Sequence, residues 1–295
     1  MNISFEKIKE ILNNDTWYEL RIPISDLEFT DFSKVIKYQD IATRLLKKYC
    51  EKYFTFKQNA WESQYREYAV IDDENPNMLK EYKVYIEQSR QDIIIKMKDL
   101  QEKLKNKSGN YSLEFGNLVA FDWENHLFTP LISYIENDGL KIVPVALNPS
   151  EIQFVKDLKK FYDENSSYFD NKEMYLLRNQ SKGKGVGFFE ANNFYPDFVL
   201  WLIKDGKQFI SFIDPKGIMK MSLEHSKIQF FRTIKDIQQQ MNDESIILNS
   251  FILSNTPYES LNLVNGYIPK EEYRNNNVIF QQEKDYIQYI FNLIR

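Results

Sequence analysis

The stretch "FYPDFVLWLIKDGKQFISFIDPKG", residues 194–217, holds two apolar runs separated by Lys-Asp-Gly-Lys. Asp-Gly between two β-prone runs is a strong short-range signal for a hairpin with a two-residue turn. The ends of this hairpin carry groups that strands normally avoid. Pro196-Asp197 opens the first run, and Asp214-Pro215-Lys216 closes the second. Antiparallel pairing brings those two ends together, so Asp197 and Asp214 come close to contact. Two carboxylates held that close repel unless one is protonated or a cation bridges them. Lys216, two residues past Asp214, projects on the same side of its strand because strand side chains alternate.

The rest of the chain supplies the frame for this hairpin. Apolar residues at helical spacing predict a helix from Ser33 to about Trp61 and a second from Gln91 to Lys105. EYKVYIEQS predicts a short strand between them, and NKSGNYS (106–112) is a linker. After it, LKIVPVAL reads as a strand, and LNPSEIQFVKDLKKFYDEN as a helix opened by Ser150 as N-cap. EMYLLRNQ is a strand, HSKIQFFRTIKDIQQQM an amphipathic helix, SIILNSFILSN a buried strand and DYIQYIFNLI a closing helix. This order predicts an α/β (α+β) fold with a central mixed sheet flanked by helices. Two regions are expected: a mainly helical one over residues 1–112, and a sheet-bearing one over residues 113–295.

Composition narrows the chemistry. Of 295 residues 43% are hydrophobic, enough for a sizeable core, and no apolar run is long enough to span a bilayer. The single cysteine, Cys50, excludes a disulfide framework and a cysteine zinc cluster, and fits a reducing cytoplasm. With only His126 and His225, a multi-histidine metal site is excluded as well. A net charge of −5 gives no global basic field, so any nucleic-acid contact must rest on a local patch.

Two adjacent carboxylates suit Mg²⁺, a hard cation that favours oxygen ligands and retains several waters. Such an ion activates water and polarises a phosphoryl oxygen, while a nearby ammonium steadies developing charge. The arrangement is that of metal-assisted phosphodiester hydrolysis. A third carboxylate would complete the ligand set. Glu151 is preferred, because the spacing of Phe154, Val155, Leu158 and Tyr162 turns it toward the interior. Glu190 is the second candidate and needs a bulge at Asn192-Asn193 to face Asp197. The plain alternative for Glu151 is that it only favours the positive end of its helix.

Pro196-Asp197 and Asp214-Pro215-Lys216 resemble the two halves of the PD-(D/E)xK nuclease motif. "DIATRLLKKY", "HLFTPLI", "LLRNQSKGKGVGFFEANNFYPDFVLWL" and "FIDPKG" are similar to the C-terminal nuclease region of type III restriction-like DEAD/DEAH helicase–nucleases, a likeness running from about Ser33 to Phe280. The resemblance implies a restriction-endonuclease-like fold and a DNA endonuclease of restriction or phage-defence type. It implies Asp197, Asp214 and the Pro215 backbone carbonyl as holders of Mg²⁺, with Mn²⁺ able to substitute. The chain lacks the GxxxxGK(S/T) phosphate loop of a motor, so a helicase or translocase partner is expected, upstream in a longer chain or as a separate subunit.

Lys182, Lys184 and Arg178 around the glycine-rich SKGKGVG are candidates for DNA backbone contact, weighed evenly against an ordinary solvated loop. Tyr195 precedes the motif and is a candidate to face substrate. Gln229 lies where many relatives of this nuclease class place a polar residue beside the site, but a solvated helix face is the preferred reading. His126 reads as a buried, hydrogen-bonded structural histidine, and His225 as a helix cap or a phosphate contact. The alternative to an enzyme is a non-catalytic DNA-binding or interaction module that keeps the fold as scaffold.

Overall fold

A computed structural model of the chain describes residues 22–28, 30–65, 71–106, 112–115, 118–134, 139–180, 184–188, 191, 193–265 and 267–294. The chain divides into two compact units, Met1–Tyr68 and Ala69–Arg295. The first contains a short helix α1 (Ile24–Leu27) and the long helix α2 (Lys34–Glu62), which coincides with the periodicity beginning at Ser33. Residues 107–111 of the expected linker lie outside the described residues.

The second unit begins with two small sheets. Strand β1 (Lys83–Ile86) pairs antiparallel with β5 (Leu140–Val143), and α3 (Gln91–Lys105) lies between them in sequence. Strands β2 (Ser112–Phe115), β3 (Leu118–Phe121) and β4 (Leu131–Tyr134) form an antiparallel meander that the sequence reading did not anticipate. Leu100, Leu118, Ala120, Ile132 and Ile142 give these elements a common core.

The main sheet has five strands in the order β10-β9-β8-β7-β6. They are β6 (Glu173–Arg178), β7 (Phe198–Lys204), β8 (Lys207–Lys216), β9 (Ile246–Ser254) and β10 (Val278–Phe280). The first three pair antiparallel, whereas β8–β9 and β9–β10 are parallel. The mixed sheet flanked by helices is therefore as expected. Helix α4 (Pro149–Glu164) precedes β6, and α5 (Ser226–Met241) carries the chain from β8 to β9. The short helices α6 (Tyr258–Asn265), α7 (Lys270–Asn275) and α8 (Tyr286–Leu293) follow.

Both faces of the sheet are covered, which is why its strands read as nearly unbroken apolar runs. Leu176, Phe198, Leu200 and Ile213 face Phe154, Val155 and Leu158 of α4 and Phe291 of α8. The alternate residues Leu177, Val199 and Phe212 face Phe230, Ile234 and Ile237 of α5. Between β7 and β8, Asp205 (φ 51°) and Gly206 (φ 73°) both take the left-handed conformation that a type I′ turn requires.

The N-cap of α4 is Asn148 rather than Ser150. Asn148 Oδ1 accepts from the Ser150 and Glu151 amides at 2.9 and 3.0 Å, and Glu151 Oε2 accepts from the Asn148 amide at 2.8 Å. This reciprocal capping box is possible two residues earlier than expected because Pro149, at the first helical position, has no N–H to satisfy.

The outer edge of β6 is closed by residues 125–127. Leu176 N–H donates to Asn125 O (2.8 Å), and Leu176 O accepts from Leu127 N–H (2.9 Å). Asn125 Nδ2 donates to Met174 O (2.9 Å), and Arg178 N–H donates to His126 Nε2 (2.8 Å). Since Nε2 accepts, the proton of His126 sits on Nδ1 and is donated to Phe128 O at 2.5 Å. Burial and the Arg178 charge hold this imidazole neutral, its pKa pushed down to about 3, in keeping with a structural histidine.

Beyond β6 the chain is folded against Asn179. Asn179 Nδ2 donates to Val186 O and Pro196 O, and its Oδ1 accepts from Val186 N–H, all at 2.8 Å. This brings Gly185 against the preceding turn, where a Cβ would lie 1.7 Å from Gln180 O and 2.6 Å from Asn179 Oδ1. The glycine is there for close approach of two backbones. Gly185→Ala is expected to destabilise the protein by about 1–3 kcal/mol, read as a lower urea midpoint with unchanged slope.

Candidate active site

Strand register places the two aspartates. The last β7–β8 pair is Phe198 with Ile213, so Asp197 and Asp214 occupy the next rung, at the open end of the hairpin. Asn179 fixes this end from below: its backbone N–H donates to Asp197 O at 2.8 Å, beside its side-chain bond to Pro196 O. Because Phe198 and Ile213 face α4, alternation turns Asp197 and Asp214 toward α5. The two carboxyl groups share a hydrogen bond.

Asp214 is 3% exposed and Lys216 Nζ stands 3.1 Å from its Oδ2, yet that oxygen accepts no directed hydrogen bond. A buried carboxylate oxygen without a hydrogen bond is costly. Burial, and then the neighbouring Asp214 charge and hydrogen bond, push Asp197 up to about 9. Glu151 repulsion adds to this, and Arg178 opposes it. Asp197 is therefore protonated at neutral pH.

Past Ile213, β8 has only β9 as neighbour, so Pro215 lacks its N–H where β7 no longer pairs. Lys216 O accepts from Asn255 N–H on the β9 side at 3.1 Å. Alternation then turns the Pro215 carbonyl to the opposite edge, the gap beside Asp197.

Glu151 comes from α4, on the other face of the sheet. Its Oε2, already bound by the Asn148 amide, lies 3.9 Å from Arg178 Nη2. Burial raises its pKa, Arg178 and the Asn148 N–H lower it, and Asp214 raises it. Both readings of Glu151 thus have a physical counterpart: it caps its helix, and it senses the aspartates. Among the described residues no three His, Cys, Asp or Glu side chains are gathered closely enough to hold a metal ion between them as they stand. Two carboxylates and a carbonyl line one side of the hairpin mouth, and Glu151 approaches from the other.

Arg178, at the end of β6, has only 16% of its side chain exposed and directs its charge at Glu151 and Asp197. Lys184 is exposed in the loop tied to Asn179, while Lys182 and Glu190 lie outside the described residues. Tyr195 is half-buried with its ring against Gly187, where a Cβ would meet Tyr195 Cε1 at 2.4 Å. The Gln229 amide is engaged elsewhere, donating to Leu223 O (2.7 Å) and Asn276 Oδ1 (3.1 Å). His225 caps α5, its Nδ1 accepting from Lys227 N–H at 3.2 Å.

Sequence reading passed over two residues. Asn179 orients the Pro196-Asp197 turn, and Lys227 projects from the first turn of α5 toward Asp214, Asp197 and Lys216. The signal for Lys227 was its place two residues past His225, at the start of the helix that follows the Asp-Pro-Lys strand end.

No protein-family model, curated protein or solved structure matches the chain.

The raised pKa of Asp197 has a consequence for stability. Between about pH 4, where an unfolded aspartate ionises, and about 9, the folded protein holds a proton that the unfolded chain has lost. Stability from this group is complete below that window and falls as pH rises through it. Asp197→Asn removes the dependence. In EDTA, the melting temperature of Asp197→Asn relative to the parent is expected to climb steadily from about pH 5 to pH 9. A pH-independent difference would show that Asp197 is not held protonated.

Proposed function

We propose that the chain is a Mg²⁺-dependent DNA endonuclease of restriction or phage-defence type, hydrolysing phosphodiester bonds and working with a helicase or translocase motor. The observation that carries this reading is the rung of half-buried Asp197 and buried Asp214 beside Lys216, with one Asp214 oxygen left without a hydrogen bond. The order α4, β6, β7, β8, α5, β9, with the rung at the carboxyl end of β8, also supports a restriction-endonuclease-like core.

The donor set fits a hard divalent cation, since carboxylate and carbonyl oxygens converge where a proton now relieves their repulsion. Asp197, Asp214, the Pro215 carbonyl and Glu151 are the groups that would hold Mg²⁺, or Mn²⁺ in its place. When bound, the ion makes a water acidic enough to attack at neutral pH and polarises the phosphoryl oxygen. Asp197 has to release its proton before it can serve as a ligand. Lys216, fixed against Asp214, offers its ammonium to the charge that builds during displacement. Asn179 orients the Asp197 backbone.

A second reading, a non-catalytic DNA-binding or interaction module, is favoured by the pairing of Arg178 with Glu151 and of Lys216 with Asp214, which can neutralise those carboxylates without metal. Plasmid incubated with the protein in Mg²⁺, Mn²⁺ or EDTA separates the two. Asp214→Asn is expected to abolish cleavage, and Lys216→Ala to lower kcat by about 10²–10³-fold with little change in the Mg²⁺ requirement. DNA retention with no metal-dependent cleavage would favour the module. No ATP hydrolysis is expected from a chain without a phosphate loop.

Glu151→Gln separates the two roles of that residue. The amide oxygen can still accept from Asn148 N–H, so unfolding free energy is expected to fall by less than about 1 kcal/mol. Cleavage is expected to drop sharply, whereas an unchanged rate would leave Glu151 as a helix cap alone.

A further inference from the structure

Basic side chains converge on the α5 side of the aspartate rung. Lys216 closes β8 with its Nζ 3.1 Å from Asp214 Oδ2, and His225 caps α5 by accepting Lys227 N–H. Lys227 then returns toward the strand end, where it lies near Lys216 and faces both aspartates. It is half-buried, and its Nζ lies 4.8 Å from the centroid of the Phe194 ring. That ring is fixed. Phe194 has no exposed surface, exchanges backbone hydrogen bonds of 2.8 and 2.9 Å with Phe188, and packs against Phe230 with centroids 5.6 Å apart. The lysine is therefore held by its aromatic contact, unlike a lysine on a solvated helix face.

Two ammonium groups held side by side repel each other unless an anion answers both. Asp214 answers them in part. With a divalent cation held by the aspartates, the two lysines would still face the hairpin mouth, and the anion they would meet there is the substrate's phosphate. We propose that Lys227 is a substrate-binding residue which, with Lys216, grips the DNA phosphate at the hairpin mouth. This deepens the nuclease reading and rests on it. A lysine that only offsets Asp214 would have no effect on DNA, which makes the two roles separable.

The test uses the full chain and a fluorescent 20-base-pair duplex, with binding followed by anisotropy across a salt series in Ca²⁺ and in EDTA. Lys227→Met is expected to weaken binding about tenfold and to lower the slope of log Kobs against log salt by about 1, as loss of one phosphate contact does. Lys227→Arg is expected to restore both. In Mg²⁺, the Lys227→Met loss is expected to fall on KM more than on kcat. Should Lys227→Met fail to fold, Lys227→Gln, which keeps a shorter stem over Phe194, takes its place. Unchanged affinity and slope in the folded variant would overturn the proposal. So would tighter Mn²⁺ binding by calorimetry with unaltered DNA binding, which would make Lys227 a counter-ion. A parent protein that binds no duplex would overturn it too. A parent that binds with a Lys227-dependent slope but never cleaves would uphold the phosphate grip and remove the nuclease reading alone.

Discussion

A one-residue slip along the β7–β8 hairpin would turn every side chain of β8 to the opposite face of the sheet. Asp214 and Lys216 would then point toward the apolar packing of Phe154 and Val155 of α4. The register that prevents this is set at the far end, where Asp205 and Gly206 take the left-handed conformations of a tight turn and place Lys204 opposite Lys207. From that rung the pairing runs unbroken to Phe198 and Ile213, leaving Asp197 and Asp214 to meet where β7 begins. The meeting of the two aspartates thus depends on a turn at the opposite end of the hairpin.

The encounter is tolerable because opposite charges reach it from both sides of the sheet. On the α4 face Arg178 lies by Glu151, and on the α5 face Lys216 and Lys227 lie by Asp214. Three carboxylates and three cations share a small, mostly buried volume, and the remaining conflict is relieved by a proton on Asp197. Such a site is poised between charge states. A divalent cation and a phosphate could enter together with little change in net charge, since each supplies what the other displaces.

The parts of the fold legible in the sequence are those with long or sharply bounded patterns. The hairpin was marked by Asp-Gly, α5 by its apolar stripe from Ile228 to Ile237, and α3 by the spacing of Ile94 and Leu100. Strands β2, β3 and β4 were not read, because four-residue strands barely establish a period. The α4 cap was misassigned because Ser150 and Asn148 are both good caps, and Pro149 between them decides the matter. At the site, Asp197, Asp214 and Lys216 could be placed together because one local hairpin joins them. Asn179 could not, since its partners are backbone atoms of Val186 and Pro196, and backbone atoms leave no mark in a sequence. Lys227 was hidden among the polar residues of an amphipathic helix, and only its aromatic support and proximity to Lys216 set it apart.

The closure of the β6 edge bears on how the protein behaves in a crowded solution. An exposed strand edge offers a row of unpaired amides and carbonyls onto which a second chain can add as a further strand. Here the outward-facing groups of Met174, Leu176 and Arg178 are engaged by a turn, an asparagine amide and an imidazole. The imidazole takes the place a neighbouring strand's carbonyl would hold, and a side chain cannot propagate a ladder as a backbone does. Protonation would cancel that acceptor, but His126 resists it down to about 3, so the edge stays sealed against strand addition at any pH a cell presents.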